Sequence, residues 1–391
     1  PLAAHLRKRT KDHARLNVNV LGEAVLGDGE ASHRLKSVIE MVQRPDVTYA
    51  SVKISAVVSQ LNTIDHDGSV DAIAERLRQL YRVAMAADTF INLDMEEYRD
   101  LPLTLASLRR VLDEPEFEGI DAGVVLQAYL PDSHGACDEL CAWAVERHRR
   151  GGGTLKVRIV KGANLAMERV EAELHGWQQA PYATKSEVDA SFKALVERAL
   201  DPRWADAVRV GLASHNLFDI AWAMALPGRD RIEFEMLEGM ATSQSREVRS
   251  VVGEVLLYAP VVRGDDLPAS IAYLTRRLDE NTAPDNFLRA LFTLRPGSPA
   301  IDPLTQPVRV QVGSYQLTIP AGSYQANRDR GPYRYSGVIG NTAVSSQIVQ
   351  QGNGQYQFML SASPADTSGL TSPAAVTVSI GGNTGSARTT F

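Results

Sequence analysis

The stretch Leu155-Lys-Val-Arg-Ile-Val-Lys161 is a short β-rich run that follows a helical pattern, Asp138–Arg150, and carries Arg158 and Lys161 toward its C-terminal end. The same unit recurs on both sides of it. Upstream lie Leu16–Leu26 (LNVNVLGEAVL), Tyr49–Ser55 (YASVKIS), Phe90–Glu96 (FINLDME) and Gly123–Leu130 (GVVLQAYL). Downstream lie Val208–Ser214 (VRVGLAS), Ile232–Leu237 (IEFEML) and Val255–Pro260 (VLLYAP). Helical patterns such as Val70–Ala87 separate most of the runs. Strands alternating with helices predict a parallel sheet, and eight such units predict an α/β fold closed into a (βα)8 barrel. Lys53, Asp94, Gln127, Arg158, Lys161, His215 and Tyr258 all fall in or just after the C-terminal half of a run. Barrel active sites are built at that end. Ionisable groups gathered there cost desolvation unless they pair or bind something.

The chain has 391 residues, and a barrel takes about 250. The remainder reads differently. Residues 305–391 contain no Lys, Glu, His, Cys or Trp, and their five arginines against two aspartates give a net charge of +3. Residues 1–304 carry a net of −9. The join, Arg295-Pro-Gly-Ser-Pro-Ala-Ile-Asp-Pro303, has linker composition. Beyond it, VRVQVGSYQLTIPAG, YRYSGVIG, QYQFMLSAS and AAVTVSIGG alternate apolar and polar residues between turn residues, as a small antiparallel, sandwich-like β domain does. The expected boundaries are a barrel over 1–297, a linker over 298–304 and a β-rich domain over 305–391.

An overall net charge of −6 argues against nucleic acid as the main partner. No run of 18 apolar residues predicts a spanning helix, and the N-terminal ten residues have no apolar core of signal-peptide length. A cytoplasmic protein is expected, with peripheral placement at a membrane left open. Cys137 and Cys141 stand four apart in a helical pattern without companion ligands, so they read as small buried residues rather than half of a metal site.

The most pointed motif is Tyr273-Leu-Thr-Arg276-Arg277-Leu-Asp-Glu280-Asn281-Thr282. At helical spacing Tyr273, Arg276, Arg277 and Glu280 form one patch, and two adjacent guanidinium groups can grip a small carboxylate through forked hydrogen bonds. An arginine pair is more often a solvated surface feature. No GxGxxG follows a strand, and Gly151-Gly-Gly153 precedes one, so a Rossmann-type nicotinamide site is not expected.

YLTRRLDENT resembles the last-helix motif of the proline dehydrogenase family. Further pieces follow in family order: Ile91–Glu97, Val125–Tyr129, Val157–Ala163, Tyr182–Lys185, Ala213–Asn216, Phe234–Met240 and Tyr258–Pro260. The resemblance covers about residues 16–295, is nearest to the proline dehydrogenase domain of bifunctional proline utilization A enzymes, and does not touch the tail. It implies oxidation of L-proline by FAD, with hydride leaving the ring carbon beside nitrogen and electrons passing to a quinone-type acceptor. It implies that Arg276, Arg277 and Lys53 bind the substrate carboxylate, that Leu237 and Tyr258 wall the ring, and that Tyr273 joins them. Arg158 would lie at the reactive edge of the flavin and Gln127 on its ring. Lys161, Gly162, Ala163, Thr184, Lys185, Ser214, His215, Asn216, Met95 and Glu280 would complete the cofactor site. Asp94 would position its neighbours.

Plainer alternatives stand beside these roles. His215 could be a core histidine, Asp94 and Lys53 a structural ion pair, and Glu96-Glu97 a solvated face. Many relatives carry an aromatic pair after Lys-Gly-Ala, where this chain has Asn164-Leu165. The rival functional class is a non-catalytic fusion in which the barrel carries a surface-binding β module, with tail tyrosines such as Tyr315, Tyr324 and Tyr335 as its face.

Overall fold

A computed structural model describes residues 2–12, 14–21, 25–162, 164–262, 270–271, 273–275, 277–278, 286–287, 303–326, 332–352, 355–366, 368, 370, 372, 374–381 and 383–389. The chain divides into two compact units, Pro1–Phe292 and Thr293–Phe391.

In the first unit β1 (Ala14–Val20), β2 (Tyr49–Lys53), β3 (Phe90–Asp94), β4 (Ala122–Gln127), β5 (Leu155–Val160), β6 (Val208–Ala213), β7 (Ile232–Leu237) and β8 (Val255–Val261) form a closed barrel. Each pairs in parallel with its sequence neighbour, and β1 closes on β8 through seven residue pairs from Ala14–Val255 to Val20–Val261. All eight strands fall on the expected runs. The runs overshoot at the mouth: Tyr49–Ser55 ends as strand at Lys53 because Ile54 begins a short helix, Ile54–Val57. Likewise the β4 run stops at Gln127, whose carbonyl accepts the Ser133 hydroxyl at 2.6 Å, turning the chain into helix Ser133–Arg149. β4 is buried on both faces, as a barrel strand between lumen and helices must be.

The helices pack on the barrel by apolar stripes. In His66–Ala87 the buried positions Val70, Ile73, Ala74, Leu77, Tyr81 and Ala84 recur every three or four residues. Asp65 caps that helix, and Asp88 ends it in the left-handed region. The apolar core lies between strands and helices, with Leu93, Val124, Val157 and Val210 fully covered. At the rim opposite the mouth, the buried Arg147 guanidinium donates to the carbonyls of Leu112, Phe117, Glu118, Ile120 and Gly153. Cys137 and Cys141 are buried as expected, their Sγ atoms 4.0 Å apart.

The second unit has two antiparallel sheets around one small core. β9 (Val308–Val312), β10 (Tyr315–Ile319), β14 (Ala374–Ile380) and β15 (Asn383–Thr389) form the order β10-β9-β14-β15, and β11 (Tyr333–Ile339), β12 (Thr342–Gly352) and β13 (Gln355–Ser363) the other. Val310, Ile319 and Ile380 of one sheet share a cluster with Tyr333, Val344 and Ile348 of the other. β12 and β15 were not among the expected runs. β15, NTGSART, is too polar to show alternation and is held by backbone pairing to β14, whereas β12, TAVSSQIVQQG, lies between β11 and β13 and buries the alternate positions Val344, Ser346 and Ile348.

Candidate active site

The barrel lumen is a ladder of charges. On β5, Lys156 and Arg158 point inward on alternate residues, and on β7 Glu233 and Glu235 do the same. Lys156 Nζ pairs with Glu233 and lies 2.6 Å from Glu235 Oε1, and it donates to the Tyr49 hydroxyl at 3.1 Å. β6 runs between these strands, and at their level it carries Gly211, where a Cβ would overlap both Glu235 Oε1 and Lys156 Cε. The glycine opens the path by which Lys156 reaches Glu235.

One step nearer the mouth, Arg158 Nε donates to Glu235 Oε2 at 2.7 Å and Nη1 to Asp94 Oδ1 at 2.8 Å. Burial disfavours this cation, but the carboxylates of Glu235 and Asp94 outweigh burial and hold its pKa above the ordinary arginine value. Glu235 shows the converse: burial pushes its carboxyl up, and Arg158 and Lys156 bring it below its ordinary value. Arg158 Nη2 has no hydrogen-bond partner among the described residues.

Asp94 tops the ladder with its oxygens occupied. Oδ1 also accepts from Asn92 at 3.0 Å, and Oδ2 accepts the Tyr258 hydroxyl at 2.9 Å. Asn19 of β1 donates to the same Tyr258 oxygen, and Arg158 lies over the Tyr258 ring, 4.9 Å from its centroid. Burial and the neighbouring Asp94 raise the Tyr258 phenol well above its ordinary pKa, and Tyr273 adds a smaller contribution in the same direction. Residues 273–275, 277 and 278 are helical, and the Arg277 guanidinium stacks over the Tyr273 ring at 5.4 Å. Asp94 and Lys53 do not pair with each other: Lys53 pairs with Glu96, and Glu97 with Arg99 at 2.5 Å. Gln127, almost fully buried, donates to the Glu96 carbonyl at 3.0 Å.

The mouth beside β5 and β6 has a different character. Lys161 Nζ is held by Asp189 at 2.5 Å and Asp219 at 2.8 Å. Lys185 pairs with Asp189 at the start of helix Lys185–Ala199, which Thr184 and Glu187 close with a reciprocal capping box. Asn216 caps the next helix, Leu217–Met224, by accepting from Phe218 N, and Ser214 Oγ donates to Asp219. Gly162 has φ +124, and a Cβ there would stand 2.5 Å from the Tyr129 ring, so only glycine fits. His215 Nε2 accepts the Leu237 backbone N–H at 2.9 Å, and burial lowers the ring's pKa to about 4. The ring is therefore neutral with its proton on Nδ1, and that Nδ1 is buried without a partner. An orphaned donor, two lysines and two helix N-termini at one rim fit the acceptor oxygens and phosphates of a flavin dinucleotide.

The family model for proline dehydrogenase matches residues 2–290. The chain belongs to the proline dehydrogenase family. Its barrel is similar to the solved structure of proline utilization A from Corynebacterium freiburgense, with a TM-score of 0.69 and 50% identity over 72% of this chain and 30% of that one. It is 28% identical over 313 residues to the bifunctional protein PutA of Escherichia coli, covering 74% of this chain and 23% of that protein. It is 25% identical over 279 residues to the proline dehydrogenase of Deinococcus radiodurans, covering 68% of this chain and 77% of that one. The chain thus spans about a quarter of the PutA proteins it matches.

Within this family barrel the structure brings Asp94, Arg158 and Tyr258 into one hydrogen-bonded group, sets Lys53 and Gln127 each on Glu96, and packs Met95 under the same rim. Leu237 enters through its backbone, which holds His215. Ala163, Arg276 and Glu280 lie outside the described residues. Sequence reasoning missed Asn19, Asn92, Lys156, Glu233 and Glu235. The signal was present: charged residues on alternate positions of LKVRIVK and IEFEML face one side of a strand.

Proposed function

We propose that the barrel catalyses flavin-dependent oxidation of L-proline to 1-pyrroline-5-carboxylate. The observation that supports this is the buried, doubly paired Arg158 joined through Asp94 to Tyr258 at the mouth of a barrel that belongs to the proline dehydrogenase family. FAD, when bound, supplies the two-electron hydride acceptor. Lys161, Lys185, Thr184 and Asn216 would hold its ribityl–pyrophosphate–adenosine portion, and His215 Nδ1 and Ser214 would add donors at the same rim. Gln127, Gly162, Ala163, Met95 and Glu280 complete the ring site.

Arg276 and Arg277 clamp the proline carboxylate, with Lys53 as a third cation. Leu237 and Tyr258 confine the ring so that the carbon next to nitrogen faces the acceptor. Arg158 places a fixed cation where negative charge arrives, and Asp94 aims it. As the ring carbon gives up hydride and the nitrogen its proton, a C=N bond remains. The electrons would pass from the cofactor to a quinone-type acceptor.

Reconstitution tests this assignment. Purified protein mixed with FAD should bind it in about equimolar amount, and a proline analogue that keeps the carboxylate but cannot give hydride should perturb the flavin spectrum. Protein that stays colourless after reconstitution would favour the carrier reading.

A further inference from the structure

Among the described residues Lys156 and Arg158 face the carboxylates of Asp94, Glu233 and Glu235, and Arg15 of β1 meets Glu233 from the far rim at 3.2 Å. Lys156 and Glu235 stand one level below Asp94 and Tyr258, away from the mouth, and neither is needed to contact a ligand. They are nonetheless joined to the mouth by unbroken contacts: Lys156 to Glu235 at 2.6 Å, Glu235 to Arg158 at 2.7 Å, Arg158 to Asp94 at 2.8 Å. A buried ion pair costs desolvation that hydrophobic packing would avoid, so its presence under a site asks for a reason beyond stability. Gly211 makes room for this contact, which would be closed to any larger residue on β6.

We infer that Glu235 and Lys156 are positioning residues that set the charge of the Arg158 cluster, and through it the reduction potential of a flavin at the barrel mouth. The inference rests on the flavin reading above. Glu235 and Asp94 fix the guanidinium between them, Glu235 accepting from Nε and Asp94 from Nη1, and among the described residues Nη2 has no acceptor. Lys156 balances the Glu235 charge from behind. Accepting hydride adds one negative charge to the flavin. Charges in a buried lumen are weakly screened, so each charge removed from the ladder changes how readily the mouth accepts that addition.

The test is a double-mutant cycle on the full chain loaded with FAD, with potentials read by equilibration against reference dyes. Glu235→Gln keeps the shape and an acceptor for Arg158 but removes a negative charge. It should favour the reduced cofactor by roughly tenfold, about 30 mV upward for a two-electron couple. Lys156→Gln should shift the potential downward by a similar factor. The double variant, which restores the balance, should return close to wild type. Opposite signs with recovery support the inference. Shifts of one sign in all three proteins, or no shift, overturn it and reduce the pair to packing. If Glu235→Gln does not fold, the downward shift of Lys156→Gln and its reversal in the double variant decide the matter. The dye measurement needs no proline. Potentials that move as expected in protein that leaves proline untouched would overturn the substrate and spare this inference. Wild-type protein that takes up no flavin overturns both.

Discussion

Replacing Arg158 by Met removes the one group that joins Glu235 and Asp94. The residue is 4% exposed, and its two charge-assisted bonds, at 2.7 and 2.8 Å, have no solvent to replace them. Breaking a buried pair from one side costs about 3–5 kcal/mol. The loss should fall near the lower end, because Glu235 keeps Lys156 at 2.6 Å and Asp94 keeps Tyr258 and Asn92. The sign of the pH dependence also changes. In the wild type Glu235 is held below its ordinary pKa, so its contribution is present above the unfolded carboxyl pKa and is lost as pH falls through the folded value. Without Arg158 the burial effect gains on the remaining Lys156, and the folded pKa should rise above the unfolded one. Its contribution is then fully present at low pH and lost as pH rises. The variant should lose about 3 kcal/mol at pH 8 and recover part of it near pH 5. Urea unfolding followed by tryptophan fluorescence reads the barrel alone, since Trp143, Trp177, Trp204 and Trp222 all precede the join. A loss under about 1 kcal/mol at pH 8, or one that grows on acidification, would refute the reasoning.

Arg147→Met should remove five hydrogen bonds to carbonyls, of which those of Glu118 and Phe117 keep a backbone donor, and destabilise the barrel by about 3 kcal/mol in the same unfolding assay, with Arg147→Lys recovering only part; equal stability of all three proteins would contradict it. Burial holds the His215 pKa down to about 4, so the unfolded chain takes up its proton first. Stability should fall as pH drops from about 6.5 toward the folded value, by up to about 1.4 kcal/mol per pH unit, and His215→Asn should flatten that slope; an unchanged slope would remove the buried neutral ring from the account. The proposed linker over 298–304 predicts that limited proteolysis cuts between 297 and 303 and leaves a β-rich fragment of the tail; digestion of both parts together would count against separate folding.

Much of the barrel was legible because a parallel strand buried on both faces leaves a run rich in apolar and β-branched residues, as LKVRIVK and GVVLQAYL do. The ends were not legible at the mouth, where Ile54 and Ala128 look like strand but turn the chain into a helix or loop. Arg158, Asp94 and Tyr258 were visible as polar residues at strand ends. Their partners lay a level deeper, at Lys156 and Glu235, because attention to the strand ends passes over the middle of a strand, and the room that Gly211 leaves for that pair is not visible in the sequence. In the tail, β15 could not be seen, since NTGSART takes its place by backbone pairing to β14 and not by a hydrophobic pattern.

Under the proposed function, this mouth takes hydride from proline. Anaerobic addition of L-proline to the FAD-loaded full chain, followed by the flavin absorbance, tests it most directly. Proline should bleach the flavin. Arg277→Met, which removes a guanidinium worth about 1.5–3 kcal/mol to a bound carboxylate, should lower kcat/KM by roughly ten- to a hundredfold while leaving the flavin spectrum intact. A fully loaded protein whose flavin stays oxidised in excess proline would contradict the account.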